Sequence, residues 1–364
     1  ASGRAFTERA NRGFDLTFCA PKSVSLLRAL DTGGVASKAV AEAHNTALGE
    51  ALEYLHTHAG YTRVHNPGSG RKDLVRLPGL VAAAYQHETS RAGDPHLHTH
   101  VLVPNKQART DGVLVAIDSD ALWHEAKAAG IIYQTVLRQE LNASLGVEWD
   151  RVDPHSGMAE IAGVDRAVLT AASQRSTQLS AWASKNLVVD SVGVSAAQLA
   201  RAQKATRPRK PEHRPWAELR AEWAGRFGGE LVIDEAAQQR AREQRLAAAA
   251  GAVMEWVNAA VAGIDKAAFT RADLIEALGA AMPVTIADTD RGPRWVAETL
   301  ADAVGMRITA ERAPHEREGH DRFTAAPIIA EEQALYELIA VRDQRAALPA
   351  ETVETVVEAA GLSA

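Results

Sequence analysis

The chain of 364 residues is 46% hydrophobic, 24% charged and 5% aromatic, which excludes collagen-like, disulfide-rich and largely disordered classes and points to two or three domains. Its formal charge of −6 is unevenly spread: residues 1–230 hold 27 Lys and Arg against 24 Asp and Glu, and residues 231–364 hold 13 against 22, so a nucleic-acid partner stays open for the first part. A single cysteine, Cys19, excludes an internal disulfide or a Cys-rich metal knot, and no apolar run approaches the roughly 20 residues of a membrane-spanning helix, so a cytoplasmic protein without membrane insertion is expected.

In chain order, Phe14, Leu16 and Phe18 alternate with Asp15, Thr17 and Cys19, the period-2 pattern of a half-buried strand over 13–19 that leaves Asp15 opposite the aromatic face. Pro21 suits the start of a helix over 21–30, stopped by Asp31 to Gly34. Val40, Ala43, Ala47, Ala51 and Tyr54 recur at steps of three and four, predicting a long amphipathic helix over 36–59. Asn66 to Gly70 is turn chemistry, and Gly70-Arg71-Lys72 lacks the rest of a phosphate-loop pattern. Strands at 80–88 and 96–103, joined by Ser90 to Pro95, read as an antiparallel hairpin. A short strand at 113–117 and a helix at 121–145 follow, completing an antiparallel sheet with helices on one face, an α+β arrangement. Beyond 165 the chain becomes Ala-rich and helical. Arg201 to Arg214, interrupted by Pro208 and Pro211, reads as an extended basic connector, and helices are predicted at 216–227, 235–262, 269–278 and 294–304, with a charged loop at 311–322.

Chemistry concentrates at His87-Glu88-Thr89-Ser90-Arg91 and His96-Leu97-His98-Thr99-His100, which hold four of the 13 histidines. Period 2 puts His96, His98 and His100 on one strand face, and a paired strand can bring His87 beside them. Convergent neutral imidazoles suit a divalent metal with open positions, and the absence of a nearby second cysteine argues against a closed structural zinc site. Such an ion polarises a phosphoryl oxygen or activates a water; residue types alone do not separate the two uses. A solvated His-rich strand edge is the plainer alternative, and the histidine on a second strand weighs against it.

The run Phe14-Asp15-Leu16-Thr17-Phe18-Cys19-Ala20-Pro21-Lys22-Ser23-Val24-Ser25, together with the two histidine segments, resembles the conjugative relaxases of the relaxase–helicase (MobF, TrwC/TraI-like) family. Asp111-Gly112, Trp123-His124-Glu125 and Leu219-Arg220-Ala221-Glu222-Trp223 are also similar, and the resemblance spans roughly residues 12–230. It implies an HUH-type nuclease fold: an α+β antiparallel sheet palm with a helical fingers region over single-stranded DNA, followed by a mainly α-helical C-terminal region. It also implies a tyrosine attacking a phosphodiester at the plasmid transfer origin, leaving a 5′-phosphotyrosyl link that is later resealed. By the same resemblance His87, His98 and His100 are the ligands of a divalent ion (Mg, Mn or Zn), and Asp15 orients a ligand histidine and is placed to accept the tyrosine proton. His96, where the family needs no ligand, becomes a supporting or DNA-facing residue. Lys22 and Arg91 become phosphate contacts, with Arg207, Arg209 and Lys210 suited to tracking the DNA backbone. The implied partners are single-stranded transfer-origin DNA, relaxosome accessory proteins and a type IV secretion coupling protein.

One departure stands out. The family's nucleophilic tyrosine precedes the Asp-Leu-Thr-Phe segment, and none of the residues before Asp15 is tyrosine. Tyr85 shares a face with His87, but its position does not match, and it reads as a strand-packing aromatic. The expectation is therefore a fragment without its nucleophile that forms no phosphotyrosyl adduct: a relaxase domain over 1–230, then an acidic, mainly helical lead-in to a helicase region over 231–364. Phe269 to Leu274, Arg322-Phe323-Thr324 and Ala360 to Ala364 resemble that lead-in. The alternatives are a metal-dependent phosphodiester hydrolase working through an activated water, and a non-catalytic DNA-binding module.

Overall fold

The computed structural model describes residues 11–186, 196–208, 214–249, 253–284, 291–340 and 348–359. Strand β1 (Gly13–Cys19) buries Phe14, Leu16 and Phe18 and exposes Asp15 and Thr17, as its alternation requires. Helices α1 (Lys22–Leu30) and α2 (Val35–Ala59) follow. The first N–H groups of α1 find their acceptor far along the chain: the backbone N–H groups of Lys22 and Ser23 donate to the Glu160 carboxylate at 3.3 and 2.7 Å.

Two hairpins come next, β2 (Tyr61–His65) with β3 (Lys72–Arg76), and β4 (Ala83–Thr89) with β5 (Pro95–Pro104). A third pairs β6 (Lys106–Ala108) with β7 (Leu114–Ala116). Strand β5 lies between β1 and β4 in a three-stranded antiparallel sheet, with Cys19 opposite His98, Thr17 opposite His100, and His87 opposite His98 on the other side. Helices α2 and α3 (Ser119–Leu145) cover the inner face, where Leu97, Val101 and Val103 of β5 meet Val40, Ala47 and Ile132 in the core. Only the turn between β2 and β3 was expected from the sequence; both strands are additions.

The later elements are α4 (Arg166–Ala171), α5 (Gln174–Asn186), α6 (Ala196–Ala205), α7 (Trp216–Phe227), α8 (Glu235–Ala249) and α9 (Val253–Ala262). After them come α10 (Arg271–Ala281), α11 (Gly292–Val304), β8 (Met306–Arg307), β9 (Phe323–Thr324), α12 (Ala326–Ala340) and α13 (Ala350–Ala359). The basic connector is corrected in part. Arg201 and Lys204 belong to α6, because no helix breaker precedes Pro208, while Arg209 and Lys210 lie outside the described residues. The helix expected over 235–262 is represented by α8 and α9, with 250–252 outside the described residues.

Residues beyond 230 continue the same core. Val257, Phe269, Leu274 and Leu278 join Leu122 and Ile132 in one apolar cluster. Helix α10 approaches α3 closely at Gly279, where a Cβ would stand 2.7 Å from the Ile131 side chain, and the Thr135 hydroxyl donates to the Gly279 carbonyl at 2.7 Å. The ion pair Lys127–Glu276 at 2.6 Å spans this contact, and Arg294–Glu50 and Arg317–Asp118 at 2.6 and 2.7 Å tie later residues to α2 and to the start of α3. Among the described residues no helix is long and apolar enough to cross a membrane.

Candidate functional site

Strand β5 turns His96, His98 and His100 to the outer face of the sheet, and β4 delivers His87 directly opposite His98. The rings of His87, His98 and His100 form a near-equilateral triangle with centroids 5.1 to 5.4 Å apart. Two of the three are anchored through Nδ1. His98 Nδ1 donates to the His96 carbonyl at 2.9 Å, and His100 Nδ1 donates to Asp15 Oδ1 at 2.9 Å with the Thr17 hydroxyl at 3.1 Å. Both acceptors demand the Nδ1–H tautomer, which leaves the Nε2 lone pairs for a ligand, the arrangement of metal-binding histidines.

An ion bound to three imidazole nitrogens at about 2.1 Å sets ring centroids roughly 4.5 to 5.3 Å apart for right-angled to tetrahedral geometry. The observed triangle sits at the wide end of that range. Among the described residues no three His, Cys, Asp or Glu side chains stand in finished coordination geometry. The donor set fits a divalent ion in its chemistry. Burial first, and then the neighbouring charges of His100 and His87, hold the His98 pKa below its usual value and so favour the neutral, ligating form.

His96 does not join the triangle. Its ring stacks on His98 at 4.6 Å, and burial, helped by His98, Lys22 and His100, lowers its pKa to about 3. Lys22 is half-buried, its ammonium donating to the Pro95 carbonyl at 2.6 Å, and burial lowers its pKa. It lines an open cleft of about 740 Å³ together with Glu160, Arg166, Thr170, Ser173 and Thr177. Arg91 stands in the tight loop between β4 and β5, where Gly93 has φ of 82°. Burial, followed by the like charges of Arg91 and Arg207, lowers the pKa of Arg175, so three guanidinium groups from separate segments share this end of the hairpin. Tyr85 faces outward opposite His100 and is 54% exposed, so it does not pack as a core aromatic.

A family model described as TrwC relaxase matches residues 1–228. The chain belongs to the TrwC relaxase family. Among curated proteins, the multifunctional conjugation protein TraI of Escherichia coli is 34% identical over 283 residues, covering 72% of this chain and 15% of TraI. TraI of Escherichia coli strain K12 is 34% identical over 177 residues, 46% of this chain and 10% of that protein. The chain therefore spans a small part of the length of the curated relatives it matches. Among solved structures, a copper-bound conjugative relaxase TrwC in complex with OriT DNA is 32% identical with a TM-score of 0.51, covering 61% of this chain and 72% of that one. TrwC complexed with a 27-mer DNA comprising the recognition hairpin and cleavage site is 31% identical with a TM-score of 0.53, covering 64% and 81%. The α+β fold of this TrwC-family chain matches those structures.

Several residues that brace this region were not singled out from sequence. Arg28 of α1 grips Glu88, the neighbour of His87, through Nε and a terminal nitrogen at 2.8 to 3.1 Å. The Leu219 to Trp223 motif also gains a physical role. Trp223 is fully buried and donates its indole N–H to the Gly93 carbonyl at 2.9 Å, while Arg226 pairs with the buried Asp94 at 2.9 Å. Helix α7 thereby clamps the β4–β5 loop that carries Arg91. The sequence signal for Trp223 was its motif, whereas Arg28 and Asp94 gave none.

Proposed function

We propose that this chain is the DNA-nicking part of a conjugative relaxase that acts on single-stranded transfer-origin DNA, with a divalent ion held by His87, His98 and His100. The observation that carries the reading is the triangle of outward imidazoles, two of them oriented through Nδ1, on a strand whose neighbour β1 supplies Asp15. When bound there, the ion supplies polarisation of a phosphoryl oxygen and offsets the charge that develops as the phosphodiester is attacked. The chain's own groups do the rest. The His96 carbonyl and Asp15 fix the tautomers of His98 and His100, and Asp15, half-exposed beside the triad, is placed to receive a proton from an attacking hydroxyl. His96 braces the His98 ring by stacking. Lys22 and Arg91 flank the triad at the loop end of β5 as contacts for the DNA backbone.

No tyrosine of the chain matches the family nucleophile in position, so this chain by itself is proposed to bind metal and DNA without forming a covalent adduct. The reading extends to a cytoplasmic protein that meets relaxosome accessory proteins and a secretion coupling protein, with the relaxase unit over 1–230 and a helicase lead-in over 231–364. The test combines Mn²⁺ calorimetry with anisotropy on single-stranded and duplex oligonucleotides carrying transfer-origin sequence. Mn²⁺ binding lost in His98→Ala, with preference for the single strand, is the expected result. Absence of both in the native chain overturns the proposal, and steady strand cleavage without any adduct would favour a hydrolase.

A further inference from the structure

Behind the triad, on the buried face of the sheet, lies a closed set of hydrogen bonds for which the outer site has no direct use. The inward residues of β5 are Pro95, Leu97, Thr99, Val101 and Val103, and Thr99 is the polar one among them, only 2% exposed. It lies between His98 and His100 on the opposite face. The Thr99 hydroxyl is 2.7 Å from Nε2 of His44 on α2, and His44 Nδ1 is 2.7 Å from the hydroxyl of Tyr133 on α3. His44 is wholly buried and Tyr133 is 1% exposed. A neutral imidazole has one donor and one acceptor nitrogen, and both are used here. The Tyr133 ring also meets Phe18 of β1 at 5.6 Å, so the set joins two helices and two strands.

Packing alone does not call for these residues. A valine at 99 would fill nearly the same volume, suit a strand equally well and need no partner, whereas a hydroxyl, an imidazole and a phenol buried together cost stability unless every group is bonded. What a satisfied polar set adds is a fixed position. Apolar surfaces tolerate small slips against each other, but hydrogen bonds of this length hold the strand at one height and tilt over its helices. Metal ligands need that, since coordination distances are met within about 0.2 Å.

We propose that His44, Thr99 and Tyr133 are positioning residues for the metal site, setting β5 against α2 and α3 so that His98 and His100 reach one ion together. This inference rests on the reading of the triad as a metal centre. The test uses the full chain with Mn²⁺ as the probe. The triple variant His44→Met, Thr99→Val, Tyr133→Phe replaces the set with apolar side chains of similar size, so its melting temperature is expected at or near the native value. Its Mn²⁺ affinity is expected to fall on the order of 10- to 100-fold, the range for residues that support ligands. Thr99→Ser, which keeps the hydroxyl, is expected to retain native affinity. A triple variant that melts as the native chain does and binds Mn²⁺ equally well overturns the inference. Should the triple variant fail to fold, Thr99→Val against Thr99→Ser decides, and equal affinities overturn it. A native chain that binds no Mn²⁺ removes the metal reading itself, an outcome distinct from a native chain that binds and a triple variant that binds as tightly.

Discussion

Outward from β5, His96, His98 and His100 are half-buried, steadied by a carbonyl, a carboxylate, a hydroxyl and a stacked ring. Inward from the same strand, Leu97, Val101 and Val103 are at most 1% exposed and sit in the continuous core beneath α2 and α3. Alternation along one strand thus separates chemistry from stability. Outer residues carry lone pairs and charge that water can still reach, so exchanging one alters what the face binds more than whether the chain folds. Inner residues carry the burial that holds the sheet to its helices. Thr99 crosses the division, being packed with the inner set while acting on the outer one.

The largest effect that would sharpen this division is loss of the ligand set. His98→Ala is expected to weaken Mn²⁺ binding on the order of 100-fold or more while changing folding stability by only about 0.5 kcal/mol, as for other partly exposed positions. Calorimetry and urea unfolding on the same sample check both halves, and a large stability loss would break the comparison. The mirror experiment is Leu97→Ala. Removing a side chain that is 1% exposed from the core should cost about 2–5 kcal/mol in urea unfolding, with Mn²⁺ affinity of the folded protein unchanged. A matching fall in metal affinity would show that the inner face is not separable from the outer one.

The same alternation explains what could be read without coordinates. β1 and β5 were legible because each half-buried strand prints period 2, and the histidines were legible because β4 and β5 pair locally. β2 and β3 were not, since Tyr61–His65 and Lys72–Arg76 mix polar and apolar residues with only one side chain buried, Thr62, and so print no alternation. Tyr85 was misread as packing because β4 is an edge strand on which Ala83 to His87 are all exposed. The Glu160 cap on α1, the Trp223 clamp on Gly93 and the seat of α10 on α3 link residues more than a hundred positions apart, and no local pattern encodes such distances. Thr99 did print a signal: a lone hydroxyl among Leu97, Val101 and Val103.

A smaller effect tests the inner face through pH. Burial, helped by the charges of Arg28 and His98 and opposed by Glu88, lowers the His44 pKa from 6.5 to about 4. The unfolded chain then takes up a proton on His44 at higher pH than the folded chain does. The stability due to neutral His44 is present above about pH 6.5 and is lost as pH falls through about 4, by up to roughly 3 kcal/mol. Urea unfolding at pH 7 and pH 4, native against the triple variant lacking His44, isolates this part. An identical pH dependence in the two proteins would mean that His44 is not held neutral by its burial.

The smallest expected effect asks how far the outer face extends beyond the triad. Arg91 lies in the β4–β5 loop that Trp223 and Arg226 hold in place, near enough to Arg175 for their like charges to interact. A cation held in a braced loop beside the ligand strand loses little side-chain freedom on meeting a phosphate, so its contribution should survive as counterion release. Arg91→Ala is expected to reduce the slope of log affinity against log salt for single-stranded DNA by about 0.7, the value of one backbone contact, and to lower affinity several-fold at low salt. Mn²⁺ affinity should not change, because Arg91 takes no part in the Nδ1 bonds that anchor His98 and His100. An unchanged salt slope would confine the outer face to the triad and Asp15 and return Arg91 to the solvated surface.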